Sequence, residues 1–297
     1  MNKNEEDYYS TEFCWDIEKF ISKVKELVDL SQNIKKKNDW IYRGQKNSQY
    51  ELETSFERAC NRFKIESNKR VRIENNMIRE FKRRLHHYTS NIPNDHAIDE
   101  WLALMQHYGS PTRLLDFTYS PYVAAYFAFE KAEEYVSVAV WAINVIWFRK
   151  KLKEISRLID ERYEEYRKSR ERNLKNFDLI FRRSEPIKLM LPINPFRLNE
   201  RLAYQRGIFL CPGDIRDSFV ENLKVYGNKH EMRQNIIKFV IPTLRSNKNT
   251  KNAINILDSM NISQTTLFPG LDGFARSFET RMPGLFMTQH FEGRDNE

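Results

Sequence analysis

The sequence predicts a single α+β domain, and three observations lead there. Short β-branched and aromatic runs such as VSVAVWAINV and IIKFVI alternate with amphipathic stretches of helical period. No internal repeat or low-complexity linker divides the 297 residues. From Trp101 to Ala128 the chain is apolar enough for core yet carries a His, an Arg, an Asp, four Tyr and two Ser-Pro steps. Buried polar groups cost roughly 1–3 kcal/mol each when unpaired, so polar density of this kind marks a site.

Composition narrows the function classes. Hydrophobic residues at 40% supply a core and charged residues at 30% cover a surface, so the chain is globular. Lys and Arg number 49 against 41 Asp and Glu, a net charge of +8, which permits a nucleotide, a nucleic acid or an acidic protein as partner through a basic surface. Cys14, Cys60 and Cys211 are odd in number and far apart, which argues against a disulfide framework and a structural zinc site. The polar, acidic start is not a signal peptide, and no apolar run reaches the ~18 residues a spanning helix needs. A cytoplasmic protein with no membrane contact and no bound metal is expected, its oligomeric state open.

In chain order, Phe13, Ile17, Phe20, Ile21, Val24, Leu27, Val28 and Leu30 recur at helical spacing and predict a helix over 11–31, with Ser10 or Thr11 as its cap. Trp40, Ile41 and Tyr42 predict a strand that delivers Arg43 to a turn, with Tyr50, Glu51 and Leu52 beginning its continuation. Helices follow over 55–63 and 70–88, the second ending in the basic run Lys82, Arg83, Arg84. Another is expected from about Asp99 to Tyr108, stopped by Gly109, Ser110 and Pro111. The run 111–120 is short, strand or turn, and Pro121 at a first helical position opens a helix through Ala132.

The run 136–145 reads as a central buried strand. Over about 148–183 the charged sequence with a narrow apolar stripe predicts a long helical insertion. A short helix around 195–204 precedes the strand RGIFL, Ile236–Ile241 is a strand, and helices are expected over 251–260 and at the end of the chain after LFPGLDG.

Several motifs then resemble the FRG-domain family, named for its Phe/Tyr-Arg-Gly motif. They are Tyr42-Arg43-Gly44-Gln45, the run QHYGSPTRLLDFT over 106–118, Ser120-Pro121, Tyr126-Phe127-Ala128, Gln205-Arg206-Gly207-Ile208-Phe209 and Leu267-Phe268-Pro269-Gly270-Leu271-Asp272-Gly273. The resemblance spans about 40–275 and implies a bacterial or phage-associated protein of defence or toxin type. More remotely, the order of an aromatic-Arg-Gly strand, a Ser/Thr-rich strand before a helix, and a third polar strand resembles the arginine-serine-glutamate class of ADP-ribosyltransferases. That resemblance implies a mixed, mainly antiparallel, ADP-ribosyltransferase-like sheet with NAD as substrate. It implies that Arg43 holds phosphate or ribose and that Thr118 and Ser120 build the nicotinamide pocket, with the third motif at Gln205.

The chain departs from that class where it has Gln205 in place of a Glu. Breaking a nicotinamide glycosidic bond develops an oxocarbenium, which calls for a carboxylate, and Asp116, Glu51 and Glu74 are the candidates. Asp116 lies between Leu115 and Phe117, so a partly buried carboxylate paired with Arg113 or Arg43 is expected, as a catalytic group or as a lock on the loop. His107 has the chemistry of a proton shuttle and equally that of a helix cap. Arg43, Asp116, Gln205 and His107 are thus the catalytic candidates, with Arg43, Gln45, Arg113, Thr118, Ser120 and Tyr126 around the ligand. Gln45, Gln106 and Gln205 read either as an amide cluster facing a base or as partners of loop carbonyls.

Two other classes stay open. A nuclease would use His107, Asp116 and Glu74 with basic residues on phosphates. A non-enzymatic module would sense a nucleotide or a phage protein, with the charged insertion as contact surface.

Overall fold

The computed structural model describes residues 7–29, 40–159, 185–194, 200–243 and 248–285. Seven strands are assigned: β1 (Ser10–Phe13), β2 (Trp40–Gln45), β3 (Leu115–Thr118), β4 (Val138–Asn144), β5 (Met190–Ile193), β6 (Gly207–Pro212) and β7 (Ile236–Ile241). They form one sheet in the order β1-β7-β4-β2-β3-β6-β5. The β1–β7 pair is parallel and all the others are antiparallel, so the sheet is mixed and mainly antiparallel.

Twelve helices are assigned among the described residues: α1 (Ile17–Asp29), α2 (Ser55–Arg62), α3 (Ser67–Leu85), α4 (Ile98–His107), α5 (Pro121–Phe129), α6 (Val145–Ile159), α7 (Glu200–Tyr204), α8 (Phe219–Lys224), α9 (Lys229–Asn235), α10 (Lys248–Ser259), α11 (Gln264–Leu267) and α12 (Leu271–Leu285). They cover both faces of the sheet. Val138, Val140 and Ala142 of β4 pack with Phe20 of α1, Ala124 of α5 and Leu257 of α10. Trp141 and Ile143 of the same strand pack with Leu102 of α4, Phe148 of α6 and Leu223 of α8 on the other side. Burial on both faces is why β4 reads as a nearly unbroken apolar run.

Helix α5 shows how local sequence and packing cooperate. Ser120 accepts a hydrogen bond from the Val123 amide at 3.3 Å, and Pro121 occupies the first turn. The helix then crosses β2 at Gly44. A Cβ there would stand 1.9 Å from the Ala124 carbonyl oxygen and 2.7 Å from the Ala128 nitrogen. The glycine of the Tyr-Arg-Gly motif is therefore required by the close approach of a helix backbone. Gly44→Ala is expected to cost about 3 kcal/mol, read as a lower urea midpoint, because backbone on both sides leaves nothing free to yield.

Several elements differ from expectation. Ser10–Phe13 is a strand, not the start of a helix, because pairing with β7 satisfies its backbone, Ser10 opposite Ile237 through Phe13 opposite Val240. Helix α1 accordingly begins at Ile17, with Asp16 accepting from the Lys19 amide at 2.8 Å, so neither Ser10 nor Thr11 is its cap. Strand β2 continues through Gln45, so Arg43 sits within a paired strand rather than at a turn. Tyr50–Leu52 is not a strand. Of the helical insertion expected over 148–183, residues up to Ile159 form the end of α6, and 160–184 lie outside the described residues, as do 195–199 and 30–31.

Candidate functional site

Alternation along β2 sends Gly44 toward α5 and Arg43 to the opposite face. Strands β2 and β3 are joined by the single pair Tyr42–Thr118, and beyond it side chains take over from the backbone ladder. There Arg43 donates through Nη1 to the carbonyl oxygen of Asp116 at 2.7 Å, with the Asp116 carboxylate 3.9 Å from the same nitrogen. Burial pushes the Arg43 guanidinium down and the charge of Asp116 opposes that shift. Its Nε is buried and has no hydrogen-bond partner among the described residues.

Asp116 differs from expectation in its exposure, and of its two expected partners it meets Arg43. Its side chain is 61% exposed, because Leu115 and Phe117 take the core positions on β3 and turn it outward. Its charged neighbour is Arg43, since Arg113 belongs to a separate buried pair. The Arg113 guanidinium grips Glu74, with Nε 2.7 Å from Oε1 and Nη2 bonded to Oε2, and it also donates to the carbonyls of Pro212 and Gly213. Arg113 thus ties α3 to the end of β6 and does not reach a ligand. Glu74 is committed to the same pair, so it does not join His107 and Asp116. Glu51, the third carboxylate candidate, is exposed and accepts from the Tyr8 hydroxyl at 3.4 Å.

Two side chains from other elements complete the surroundings of Asp116. Gln106 of α4 donates through Nε2 to Asp116 Oδ2 at 2.8 Å, and its Oε1 accepts from the Thr112 hydroxyl. Arg201 of α7 lies over the Phe268 ring with its guanidinium carbon 4.4 Å from the centroid. Burial pushes Arg201 down, and the nearby charges of Asp116 and Glu130 push it back up. His107, the last residue of α4, packs edge-on to Tyr108 at 4.9 Å. Burial lowers its pKa from the ordinary 6.5 and the positive charge of Arg201 lowers it further, so the ring is neutral at pH 7. In Arg201→Gln the His107 midpoint is expected to rise toward 6.5, followed by NMR of the ring, because the repelling charge is gone. An unchanged midpoint would separate the two groups.

The remaining predicted site residues are held by internal bonds. Thr118 donates to the Gln205 carbonyl at 2.6 Å and accepts from the Ser120 amide at 3.0 Å. The Gln205 side chain donates to the Leu267 carbonyl at 3.1 Å and so turns away from Arg43. Gln45 bridges the Trp141 indole at 2.7 Å and the Glu51 carbonyl at 3.0 Å. Ser120 caps α5, and the buried Tyr126 donates to Gln264 at 3.1 Å. Thus Gln45, Ser120, Tyr126 and Gln205 are committed to internal bonds, and the expected amide cluster does not form.

What the structure brings together is Arg43, Gln106 and Asp116, an outward carboxylate held by a guanidinium and an amide, and the charge of Arg201 is felt both by Asp116 and by His107. Arg201 escaped the sequence reading. Its one signal was its position a helical turn before Gln205, at a spacing that puts both on one face.

All three cysteines are free and buried, and burial pushes the Cys211 thiol up to about 12. Among the described residues no three His, Cys, Asp or Glu side chains gather where they could hold a metal ion, and no helix is long and apolar enough to cross a membrane.

Residues 38–136 match the family model of the FRG domain. The matched stretch runs from β2 through α5 and contains Arg43, Gln106, His107 and Asp116, while Arg201 and Gln205 lie beyond it. No curated protein and no solved structure matches the chain.

Proposed function

The chain carries an FRG domain over residues 38–136, and from the Arg43, Gln106 and Asp116 side chains that this stretch brings together we propose that it binds a nucleotide and breaks the nicotinamide–ribose bond of NAD, as a glycohydrolase or an ADP-ribosyltransferase. The observation that carries this reading is the exposed carboxylate of Asp116, held 3.9 Å from the Arg43 guanidinium and electrostatically coupled to Arg201. A diphosphate needs cationic donors of fixed geometry, which guanidinium groups such as that of the one-fifth exposed Arg43 supply. As the glycosidic bond breaks, nicotinamide leaves with the bonding pair and positive charge develops on the ribose, which Asp116 faces. Water adds at the anomeric carbon and gives up a proton, for which neutral His107 is an acceptor. In transfer, the nucleophile of an acceptor replaces that water. Asp116 so takes the part that the transferase Glu plays, in the ADP-ribosyltransferase-like arrangement implied by the order Arg43, Thr118, Gln205.

One observation favours a second reading. Gln205 stands where those transferases place Glu, and its amide is bonded to the Leu267 carbonyl, so the third motif offers no carboxylate. A module that binds a nucleotide without altering it fits that feature.

Incubation of the purified chain with NAD, followed by chromatography for free nicotinamide, tests the first reading. Release by wild type and its loss in Asp116→Asn is the expected result. Binding of ADP-ribose by calorimetry with no release of nicotinamide would sink the enzyme reading in favour of the module, and neither release nor binding would sink both.

A further inference from the structure

We propose that Gln106 is a positioning residue, which aims the Asp116 carboxylate, and that buried Thr112 fixes which way its amide points. The role rests on Asp116 being the functional carboxylate. The inference begins at Thr112, which is fully buried. Its amide donates to Ser55 Oγ at 3.0 Å, its carbonyl accepts from Ser55 Oγ at 3.2 Å and from the Phe56 amide at 3.0 Å, and so the residue is locked to the start of α2.

Its hydroxyl accepts from the Leu114 amide at 3.3 Å, and its one proton goes to Gln106 Oε1. A flipped Gln106 amide would turn that proton against another donor and would also set Oε1 against the carboxylate of Asp116, two acceptors face to face. The amide therefore presents Nε2, a donor with no acceptor capacity, 2.8 Å from Asp116 Oδ2. That bond occupies Oδ2 and leaves Oδ1 for a ligand. Arg43 holds the Asp116 backbone from the other side at 2.7 Å, so the carboxylate is positioned at both ends. The buried hydroxyl of Thr112 thus sets the aim of a group at the surface.

The test is the titration of Asp carboxyl carbons by NMR in the full chain, with the Asp116 signal assigned by its loss in Asp116→Asn. Gln106→Glu places a second carboxyl against Oδ2, so the two share a proton and the Asp116 midpoint should rise by about one pH unit or more. Thr112→Val should move it the same way, and Thr112→Ser, which restores the hydroxyl, should return it to the wild-type value. Should Gln106→Glu not fold, the Thr112 pair carries the test alone. For nicotinamide release, Gln106→Glu should lower kcat about tenfold with KM within about twofold, and the acid limb of the pH profile should move up with the carboxyl midpoint. Equal midpoints in wild type, Gln106→Glu and Thr112→Val would overturn the role. Absence of nicotinamide release by wild type would strike the function proposed above and leave the carboxyl titration standing.

Discussion

Arg113→Ala is expected to lower the stability of the fold by about 3–5 kcal/mol, the cost of leaving a buried charge without its partner. Both members of the pair are almost without exposure, Arg113 at 3% and Glu74 at 2%. Burial alone pushes the Arg113 guanidinium down, and the adjacent Glu74 carboxylate reverses that, so the net direction is up. Removal of the guanidinium also takes away a donor from the carbonyls of Pro212 and Gly213, which it meets at 3.2 and 3.3 Å. Urea denaturation followed by circular dichroism gives the number. The double replacement Arg113→Met with Glu74→Leu should recover most of the loss, since no uncompensated charge remains. A single-variant loss below about 1 kcal/mol would mean that Glu74 finds another partner or water.

Arg43→Ala should do the opposite: cost little stability and remove function. Arg43 is one-fifth exposed, and its ion pair with Asp116 spans 3.9 Å beside solvent, a setting in which such pairs contribute about 0–1 kcal/mol. On the proposed function, the same side chain is the phosphate donor and the restraint on the Asp116 backbone. Loss of one such preorganised donor lowers turnover by about 100- to 1,000-fold. Nicotinamide release and thermal melting on the same preparation separate the two effects. Arg43→Lys should stay impaired, because an ammonium lacks the fork that reaches both the Asp116 carbonyl and a phosphate. Retention of more than a tenth of wild-type release by Arg43→Ala would remove Arg43 from the site. The two arginines, drawn from two separate motifs of the sequence, thus have separable roles.

Much of the fold was legible residue by residue. Strands β4 and β7 follow from apolar and β-branched runs, and the start of α5 from Ser120 and Pro121, because those signals act within a few residues. The failures share a cause. Ser10–Phe13 carries a helical apolar pattern into α1, yet it pairs with β7 more than 220 residues away, with Ser10 donating to the Ile236 carbonyl across a separation of 226. Helices α8 and α9 are too short to show a period and are marked by their caps, Ser218 and Asn228.

The site divides in the same way. By itself the sequence determined which chemistry-bearing residues are present and that a helix ends near Tyr108 and another opens at Pro121, while it read Arg43 at a turn and left the run 111–120 as strand or turn. The tertiary structure alone decided that Arg113 belongs to Glu74, that Asp116 turns outward to Arg43 and Gln106, that the Gln205 amide points to Leu267, and that Arg201 comes to the same place. Backbone periodicity is set by neighbours in the chain, whereas the partner of a charge or an amide is set by whichever group packing brings within about 3 Å. Glu74 and Arg43 stand 39 and 73 residues from Arg113 and Asp116, the groups they hold, and only the folded sheet with its helices brings each pair to 2.7 Å.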